Sequence, residues 1–275
     1  MYRFKSEGYL IDGIYQMTMM MRMNDIIPVF VFDGNPPPEK IALLNKRREE
    51  KLKAEHELLS LTELQGVTIE EKQRMLSCKK KCVRITREDV INVKKLLLLC
   101  GVTFYQADGE ADELCAKLIL KNRVWGCVSE DMDLFVYGCP RVLRNFSMFY
   151  GTFMLYDMSI ILASLNLSLK EFREICVLSG TDYNMKTSKK INLYVAMNKL
   201  LKFKGDDISN LDFYEWLEKK YCGDYDACRL YATEIMFDTT DVAISKYDKK
   251  DPIENKQVNR EGLKEFLKHF GFIFV

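Results

Sequence analysis

Two aspartates separated by one residue, Asp131 and Asp133, directly follow the short apolar run at residues 124–128. Such a run is typical of a buried strand, and the carboxyl ends of strands are where open α/β sheets build their sites. Two carboxylates that leave one strand end repel each other in a dry site unless a cation or a proton lies between them. The pair therefore indicates a site for Mg²⁺ or Mn²⁺, and the alternative is a solvated turn.

The charge balance of the chain gives no overall attraction for polyanions. The 275 residues contain 41 Lys and Arg against 40 Asp and Glu, for a net charge of +1. Any nucleic-acid surface must therefore be local, with basic patches separated from an acidic centre.

Cysteine and histidine usage argues against a disulfide framework or a zinc site. The nine cysteines include no C-x-x-C pair, and the two histidines, His56 and His269, lie far apart. We expect buried thiols in a reducing compartment. Charged residues at 12 and 22 interrupt the Met-rich segment at 9–23, so neither a membrane-spanning helix nor a signal peptide is predicted, and we expect a soluble intracellular protein.

Alternation of strands and helices predicts an α/β fold over residues 1–157, with a mainly parallel sheet covered on both faces. Strands are expected at residues 26–32, 102–105, 124–128, 141–143 and 152–156, the last two as a hairpin at the sheet edge. Gly101 is expected to end the helix at 88–100, and Ser168 with Glu171 predicts a capping box. Residues 158–275 are predicted to form a helical C-terminal region.

Residues 36–87 form a highly charged segment with few core positions. The segment predicts a helical insertion that stands out from the sheet, and a solvated charged helix with no further role is the simpler interpretation.

Carboxylates occur at the ends of several predicted elements. They are Asp33, Glu110, Asp112, Asp131, Asp133 and Asp182. Glu110 and Asp112 also suit a helix N-terminus, which explains acidity at that position without a metal. Because parallel strands end at one edge, the six can converge into a polycarboxylate site for two ions. Lys40 and Arg47 would stand beside it, which predicts metal-assisted phosphoester chemistry.

Four segments resemble motifs of the flap endonuclease and XPG-type 5′ nuclease family. Residues 29–37 are similar to its V-x-V-F-D-G-x-P-P, and residues 109–112 to its S-E-A-E, with Asp112 in place of the second Glu. Residues 129–133 resemble its T-E-D-x-D, and residues 179–183 its G-S-D-Y. The four occur in the family's order and at similar spacings.

The resemblance implies a PIN-like fold, a twisted sheet flanked by helices, with residues 36–87 as a helical arch for a single-stranded 5′ flap. It implies that Asp33, Glu110 and Asp112 serve one Mg²⁺, for which Mn²⁺ can substitute. Asp131, Asp133 and Asp182 would serve a second ion. Lys40 and Arg47 match the basic arch residues that neutralise the scissile phosphate, which makes them the expected catalytic cations.

The chain departs from the family pattern in three places. It begins after the family's first strand, which carries another metal-binding Asp. The glycines of the family's helix-two-turn-helix are absent from residues 186–192, so Lys186, Lys189 and Lys190 are expected to contact DNA by charge instead. The sequence ends at Val275 without a clear sliding-clamp motif.

The resemblance implies a Mg²⁺-dependent, structure-specific 5′ nuclease that cuts DNA at a 5′ flap or junction in replication, repair or recombination. The alternative is a DNA-binding or scaffold relative that has lost catalysis with the first strand, and a PIN-type RNase is disfavoured by the long arch. We expect a monomer without membrane contact, located in the nucleus, or in a cytoplasmic viral factory if a large DNA virus encodes it.

Overall fold

The structure is a computed structural model that describes residues 7–62, 68–183, 191–206, 210–222, 224–239 and 252–273. Its helices are α1 Glu7–Met23, α2 Pro38–Thr62, α3 Ile69–Lys81, α4 Arg87–Leu99, α5 Ala111–Leu120, α6 Asp133–Val136, α7 Met158–Leu165, α8 Leu169–Ser179, α9 Leu193–Gly205, α10 Phe213–Lys220, α11 Ala227–Ile235 and α12 Arg260–Lys268. Its strands are β1 Val29–Phe32, β2 Thr103–Gln106, β3 Cys127–Val128, β4 Arg141–Ser147 and β5 Thr152–Asp157.

The chain divides into two compact units. The first unit comprises Met1–Phe30, Ile41–Tyr105 and Asp251–Val275, and the second comprises Val31–Lys40 and Gln106–Lys250. These units differ from the sequence-based division at residue 157, which stays a prediction. Over the part of the chain that the structure describes, no helix has both the length and the apolar character needed to cross a membrane.

The first unit packs α1 and α12 against α4. Helix α4 begins with a capping box between Thr86 and Asp89. It ends where predicted, because Gly101 adopts a positive φ of 66° and a Cβ there would lie 2.4 Å from the carbonyl oxygen of Lys256. Arg22 donates to the carbonyls of Gly101 and Lys256, at 3.1 and 2.8 Å. The helix end and the C-terminal segment are thereby joined through one guanidinium.

The predicted insertion at residues 36–87 contains α2 and α3, so its helical character is confirmed. Few of its side chains are buried, and those of α2 are Leu43, Ala54 and Leu61. The Lys51 ammonium donates to the carbonyl of Val83 at 2.6 Å. This bond ties α2 to the segment that follows α3.

The second unit contains a three-stranded sheet in the order β3-β4-β5. Strand β3 pairs with β4 in parallel, Cys127 opposite Val142, and β4 pairs with β5 as the antiparallel hairpin predicted from the sequence. Strands β1 and β2 form a separate two-stranded sheet. The mixed α/β fold with a parallel sheet is thus confirmed, although the described strands form two sheets.

The core of the second unit is a cluster of apolar side chains contributed mainly by α5, α6 and α8–α11. Its largest fully buried members are Trp216, Tyr214, Phe213 and Phe237. Helix α8 leads into this core from the predicted capping box, in which the Ser168 hydroxyl accepts from the Glu171 backbone N–H.

The expected strand at residues 124–128 is shorter than predicted, because only Cys127 and Val128 pair with β4. Trp125 is 61% exposed. The Arg141 guanidinium lies 4.8 Å from the centre of the Trp125 ring and donates to the Trp125 carbonyl at 2.7 Å. The ring therefore covers an arginine at the surface instead of entering the core.

Two further predictions differ from the structure. Strand β1 begins at Val29, since Pro28 has no N–H for a ladder, and Ile26 and Ile27 are about half exposed. The helical prediction for residues 158–275 did not locate helix α11, although Asp226 caps it by accepting from the Arg229 backbone N–H.

Glu174 gives a test of the helical core by pH. It is 5% exposed, and burial, followed by the charge of Glu234, raises its pKa from 4.5 to about 7. Because the folded pKa exceeds the unfolded value, the contribution of this carboxyl to stability is present below pH 4.5 and is lost as the pH rises towards 7. We expect Glu174→Gln to raise the melting temperature at pH 8 and to change it little at pH 4.5.

Glu171 on the same helix is the matched control. Although burial raises it, hydrogen bonds from Lys204 and Ser168 lower the pKa of Glu171 overall. Glu171→Gln should therefore destabilise the chain near neutral pH. Thermal unfolding of both variants between pH 4.5 and 8 measures the difference, and parallel curves for the two would contradict this account of Glu174.

Candidate metal centre

The end of β1 is fixed to the start of α5. Gly34 donates its N–H to the carbonyl of Gly109 at 2.7 Å, and a Cβ on Gly34 would lie 2.2 Å from the carbonyl oxygen of Ala107. Only glycine permits this approach. Asp33, one residue before it, accepts the backbone N–H of Ala111 at 2.9 Å. Asp33 thus caps α5 from a different element and brings one carboxylate to the helix N-terminus.

Glu110 is the N-cap residue of α5, yet its side chain makes no capping hydrogen bond. Its carboxylate instead contacts the Lys40 ammonium at 2.5 Å and accepts the hydroxyl of Tyr183. The alternative interpretation, in which Glu110 is acidic only because it begins a helix, therefore does not describe its contacts.

The loop that carries Asp131 and Asp133 is shaped by hydrogen bonds from its backbone to its own side chains. Asp131 donates its N–H to the Ser129 hydroxyl at 3.0 Å, and Asp133 donates its N–H to a carboxylate oxygen of Asp131 at 2.9 Å. One Asp131 oxygen therefore shapes the turn, as the alternative interpretation expected.

Strand β4 holds this loop through Glu130, a residue that the sequence analysis did not single out. The Glu130 carboxylate accepts the N–H of Asn145 at 2.6 Å, and Arg144 donates to the Glu130 carbonyl at 3.0 Å. The signal in the sequence that could have identified Glu130 is its position between Ser129 and the two aspartates. Glu130 thereby fixes the position of the loop that carries Asp131 and Asp133.

Asp182 lies in the turn after α8, just beyond Gly180, whose φ is 113°. The Lys40 ammonium is 3.4 Å from its carboxylate. Lys40, near the start of α2, therefore bridges Asp182 and Glu110, and its side chain is 13% exposed.

The pKa values of the remaining carboxylates, Asp112 and Asp133, are raised in part by the negative charge of their neighbours. Burial, and then the negative charges of Asp131 and Asp33, raises the pKa of Asp112 to about 6. Burial, and then Asp131 and Asp182, raises the pKa of Asp133 to about 7. Although burial lowers it, the neighbouring Glu110 and Asp182 raise the pKa of Lys40 overall. The cluster thus has more negative charge than one ammonium balances, the condition that favours a divalent cation.

All six predicted carboxylates belong to the second unit together with Lys40. Arg47 lies in the first unit, exposed on α2. Lys186, Lys189 and Lys190 lie outside the described residues, so their assignment to DNA stays a prediction.

Within the described ranges, no group of three or more His, Cys, Asp or Glu side chains is arranged to hold a metal ion. The residues nevertheless fit Mg²⁺ chemically. They are hard oxygen donors, they repel one another, and a lysine ammonium already occupies the position between two of them. Lys40 is thus a cation from the protein itself that lies within the carboxylate cluster.

Comparison with known proteins agrees with this architecture. Residues 3–54 match the XPG N-terminal domain and residues 101–182 match the XPG I-region. Five of the six carboxylates fall in the second match and Asp33 falls in the first. The fold and the site thus define an XPG-type nuclease.

The similarity to individual proteins shows the family to which the chain belongs. The chain is 30% identical to flap endonuclease 1 of Methanococcus aeolicus over 93% of its length and 72% of that protein. It is 37% identical to flap endonuclease 1 of Encephalitozoon cuniculi over 62% of its length, but that match covers 49% of the relative. The chain belongs to the flap endonuclease family, and the predicted class, a structure-specific 5′ nuclease acting on DNA, is confirmed.

Solved structures share the fold. Flap endonuclease-1 from Methanococcus jannaschii matches 94% of this chain and 74% of its own, with a TM-score of 0.63 and 27% identity. The catalytic core of Rad2 in complex with DNA substrate has a TM-score of 0.67 at 20% identity, over 96% of this chain and 80% of its own. The Holliday junction-resolving enzyme GEN1, in complex with product DNA and Mg²⁺, has a TM-score of 0.56 at 19% identity, over 94% and 58%.

Lys40 gives a test of the charge balance. Lys40→Ala leaves Glu110 and Asp182 uncompensated, so the metal-free protein should lose about 2 kcal/mol of unfolding free energy, as for other lost charged hydrogen bonds. Added Mg²⁺ should recover most of the loss, because the ion replaces the missing positive charge. Denaturant unfolding in EDTA and in Mg²⁺ measures both effects.

Lys46→Ala is the matched control, since Lys46 is an exposed lysine on the same helix. It should change stability by less than about 0.5 kcal/mol in either buffer. Equal losses for the two variants, or a Lys40→Ala loss that Mg²⁺ leaves untouched, would contradict the assigned charge balance.

Proposed function

We propose that this chain hydrolyses DNA phosphodiesters with two Mg²⁺ ions and cuts at a 5′ flap or a single-strand to duplex junction. The observation that carries the proposal is the position of Lys40, whose ammonium lies between Glu110 and Asp182 in a cluster where carboxylates raise one another's pKa. A scaffold that only binds DNA gains nothing from concentrated negative charge near its phosphates. The non-catalytic alternative is therefore not favoured.

The carboxylates divide by the elements that carry them. Asp33 and the N-terminus of α5, with Glu110 and Asp112, would hold one ion. The loop with Asp131 and Asp133 and the turn with Asp182 would hold the other. Bound Mg²⁺ would supply an activated water and offset the charge that develops on the phosphate. Mn²⁺ is expected to substitute, since it takes the same oxygen donors.

Lys40 has a second task in this proposal. Once a divalent cation neutralises Glu110 and Asp182, the ammonium loses its two partners and can turn towards another anion. A DNA phosphate is the anion that the reaction brings, and Lys40 would then stabilise its added charge. Arg47, further along α2, is proposed for the same task.

Substrate selection is proposed to rest on shape. The net charge of +1 gives little general attraction for DNA, so contacts must be concentrated in patches such as Lys186, Lys189 and Lys190. The helices α2 and α3 are proposed to form the arch for a single-stranded 5′ end. DNA complexes of the structural neighbours Rad2 and GEN1 support a DNA substrate.

Asp131→Asn tests the proposed chemistry, because it removes one metal-binding charge and keeps the oxygen that shapes the turn. We expect cleavage of a 5′-labelled flap DNA in Mg²⁺ to fall about 100-fold or more. Affinity for the same DNA in Ca²⁺, measured by fluorescence anisotropy, should be kept or improved. EDTA should abolish cleavage by the wild type.

Asp157→Asn is the control, since Asp157 caps α7 outside the cluster and asparagine is an equally good cap. It should cleave at the wild-type rate. Metal-independent cleavage, or an Asp131→Asn variant as active as Asp157→Asn, would overturn the proposal.

A further inference from the structure

Tyr183 makes a contact to the carboxylate cluster that the proposed chemistry does not use. Its hydroxyl donates to Glu110, on the carboxylate oxygen other than the one that Lys40 contacts. Lys40 also lies over the Tyr183 ring, 5.7 Å from its centre. Tyr183 and Lys40 thus approach the same carboxylate, one as a neutral donor and the other as a cation.

A second tyrosine stands behind the first. Tyr137 is 3% exposed and lies close enough to Tyr183 for the two phenols to interact. A phenol has one proton, and that of Tyr183 goes to Glu110. While Tyr183 keeps this bond, a hydrogen bond between the two phenols can only be donated by Tyr137.

One buried ring fixes both phenols. Phe237 is fully buried, and its ring centre lies 5.3 Å from that of Tyr183 and 5.0 Å from that of Tyr137, both edge to face. Edge-to-face pairs at such distances are favourable contacts beyond the area that they bury. The packing against Phe237 thus stabilises the ring positions of both tyrosines.

The two partners of Glu110 differ in what a metal ion would do to them. A divalent cation bound to Glu110 repels the Lys40 ammonium. It also neutralises the carboxylate charge that attracts this ammonium. A neutral hydroxyl on the other oxygen is not repelled, and its hydrogen bond keeps the carboxylate plane fixed while the free oxygen binds the ion. Tyr183 can therefore serve the metal-bound state, whereas Lys40 serves the metal-free state.

We propose that Tyr183 is a positioning residue that orients Glu110 for a divalent cation, with Tyr137 as the support that orients Tyr183. This inference rests on the proposed function, because it takes Glu110 as a metal ligand. It assigns a role at the proposed metal site to the phenols of Tyr183 and Tyr137, in addition to the carboxylates.

The test is Mn²⁺ binding to the 275-residue chain without DNA, measured by electron paramagnetic resonance. Tyr183→Phe removes one oxygen and keeps the packing on Phe237, and we expect its dissociation constant for Mn²⁺ to rise about 10-fold. Tyr137→Phe should shift it in the same direction by less. Tyr156→Phe is the control, since that hydroxyl contacts only the Met154 sulfur among the bonds described, and it should bind as the wild type does.

Cleavage gives a second readout that loss of structure alone would not produce. Tyr183→Phe should need more Mg²⁺ for half-maximal cleavage and should approach the wild-type rate at saturating Mg²⁺, with unchanged DNA affinity in Ca²⁺. If Tyr183 acts through Glu110, adding Tyr183→Phe to Glu110→Gln should change Mn²⁺ binding no further.

The outcomes separate the two proposals. A wild type that neither binds Mn²⁺ nor cleaves would overturn the proposed function. A wild type that does both, beside a folded Tyr183→Phe variant with the same Mn²⁺ dissociation constant, would overturn only the positioning role. If Tyr183→Phe does not fold, an unchanged Mn²⁺ dissociation constant for folded Tyr137→Phe overturns the role in the same way.

Discussion

Repulsion among clustered carboxylates, of which Asp33 and Asp131 are exposed and the other four partly buried, is the constraint on which the candidate site depends. Folding gathers acids from β1, α5, the loop after β3 and the turn after α8, and burial with neighbouring charge raises the pKa of Asp112 and Asp133 to about 6 and 7. In the metal-free chain the Lys40 ammonium offsets part of this charge between Glu110 and Asp182. In the proposed function, the same repulsion that costs stability without metal would favour the binding of Mg²⁺.

Such a cluster persists because neutral groups fix its members. Asp33 is held by the Ala111 N–H, and Gly34 lets the strand end approach the next segment. Glu130, which precedes Asp131, is held to β4 by the Asn145 N–H and by the charged Arg144. Tyr183 adds a hydroxyl to Glu110 from the helical core. At Asp33 and Glu110, backbone and phenol donors thus orient the acid without adding a charge, which would leave it able to bind the proposed cation.

Local signals in the sequence predicted most elements, because caps and glycines act over a few residues. The capping box at Ser168 and the helix end at Gly101 are examples. The six acids that the motifs singled out belong to one unit of the structure, although the predicted division at residue 157 separates Asp182 from the other five. Contacts between distant residues were beyond that reasoning: the exposed Trp125 ring lies against Arg141, sixteen residues away, and Tyr183 meets Glu110 across 73 positions. The spacing of apolar residues along the sequence predicts helices and strands, but it does not indicate which distant side chains meet.

The most direct test of the central claim, that the carboxylates form a metal centre which Lys40 balances in the absence of metal, is a crystal structure of the chain soaked in Mn²⁺, with anomalous scattering used to locate the ions. The account predicts anomalous peaks in contact with Glu110 and with the Asp131 to Asp133 loop, the Lys40 ammonium withdrawn from Glu110, and the Tyr183 hydroxyl still on it. Peaks at other side chains, or ions bound while Lys40 keeps both of its partners, would contradict the account.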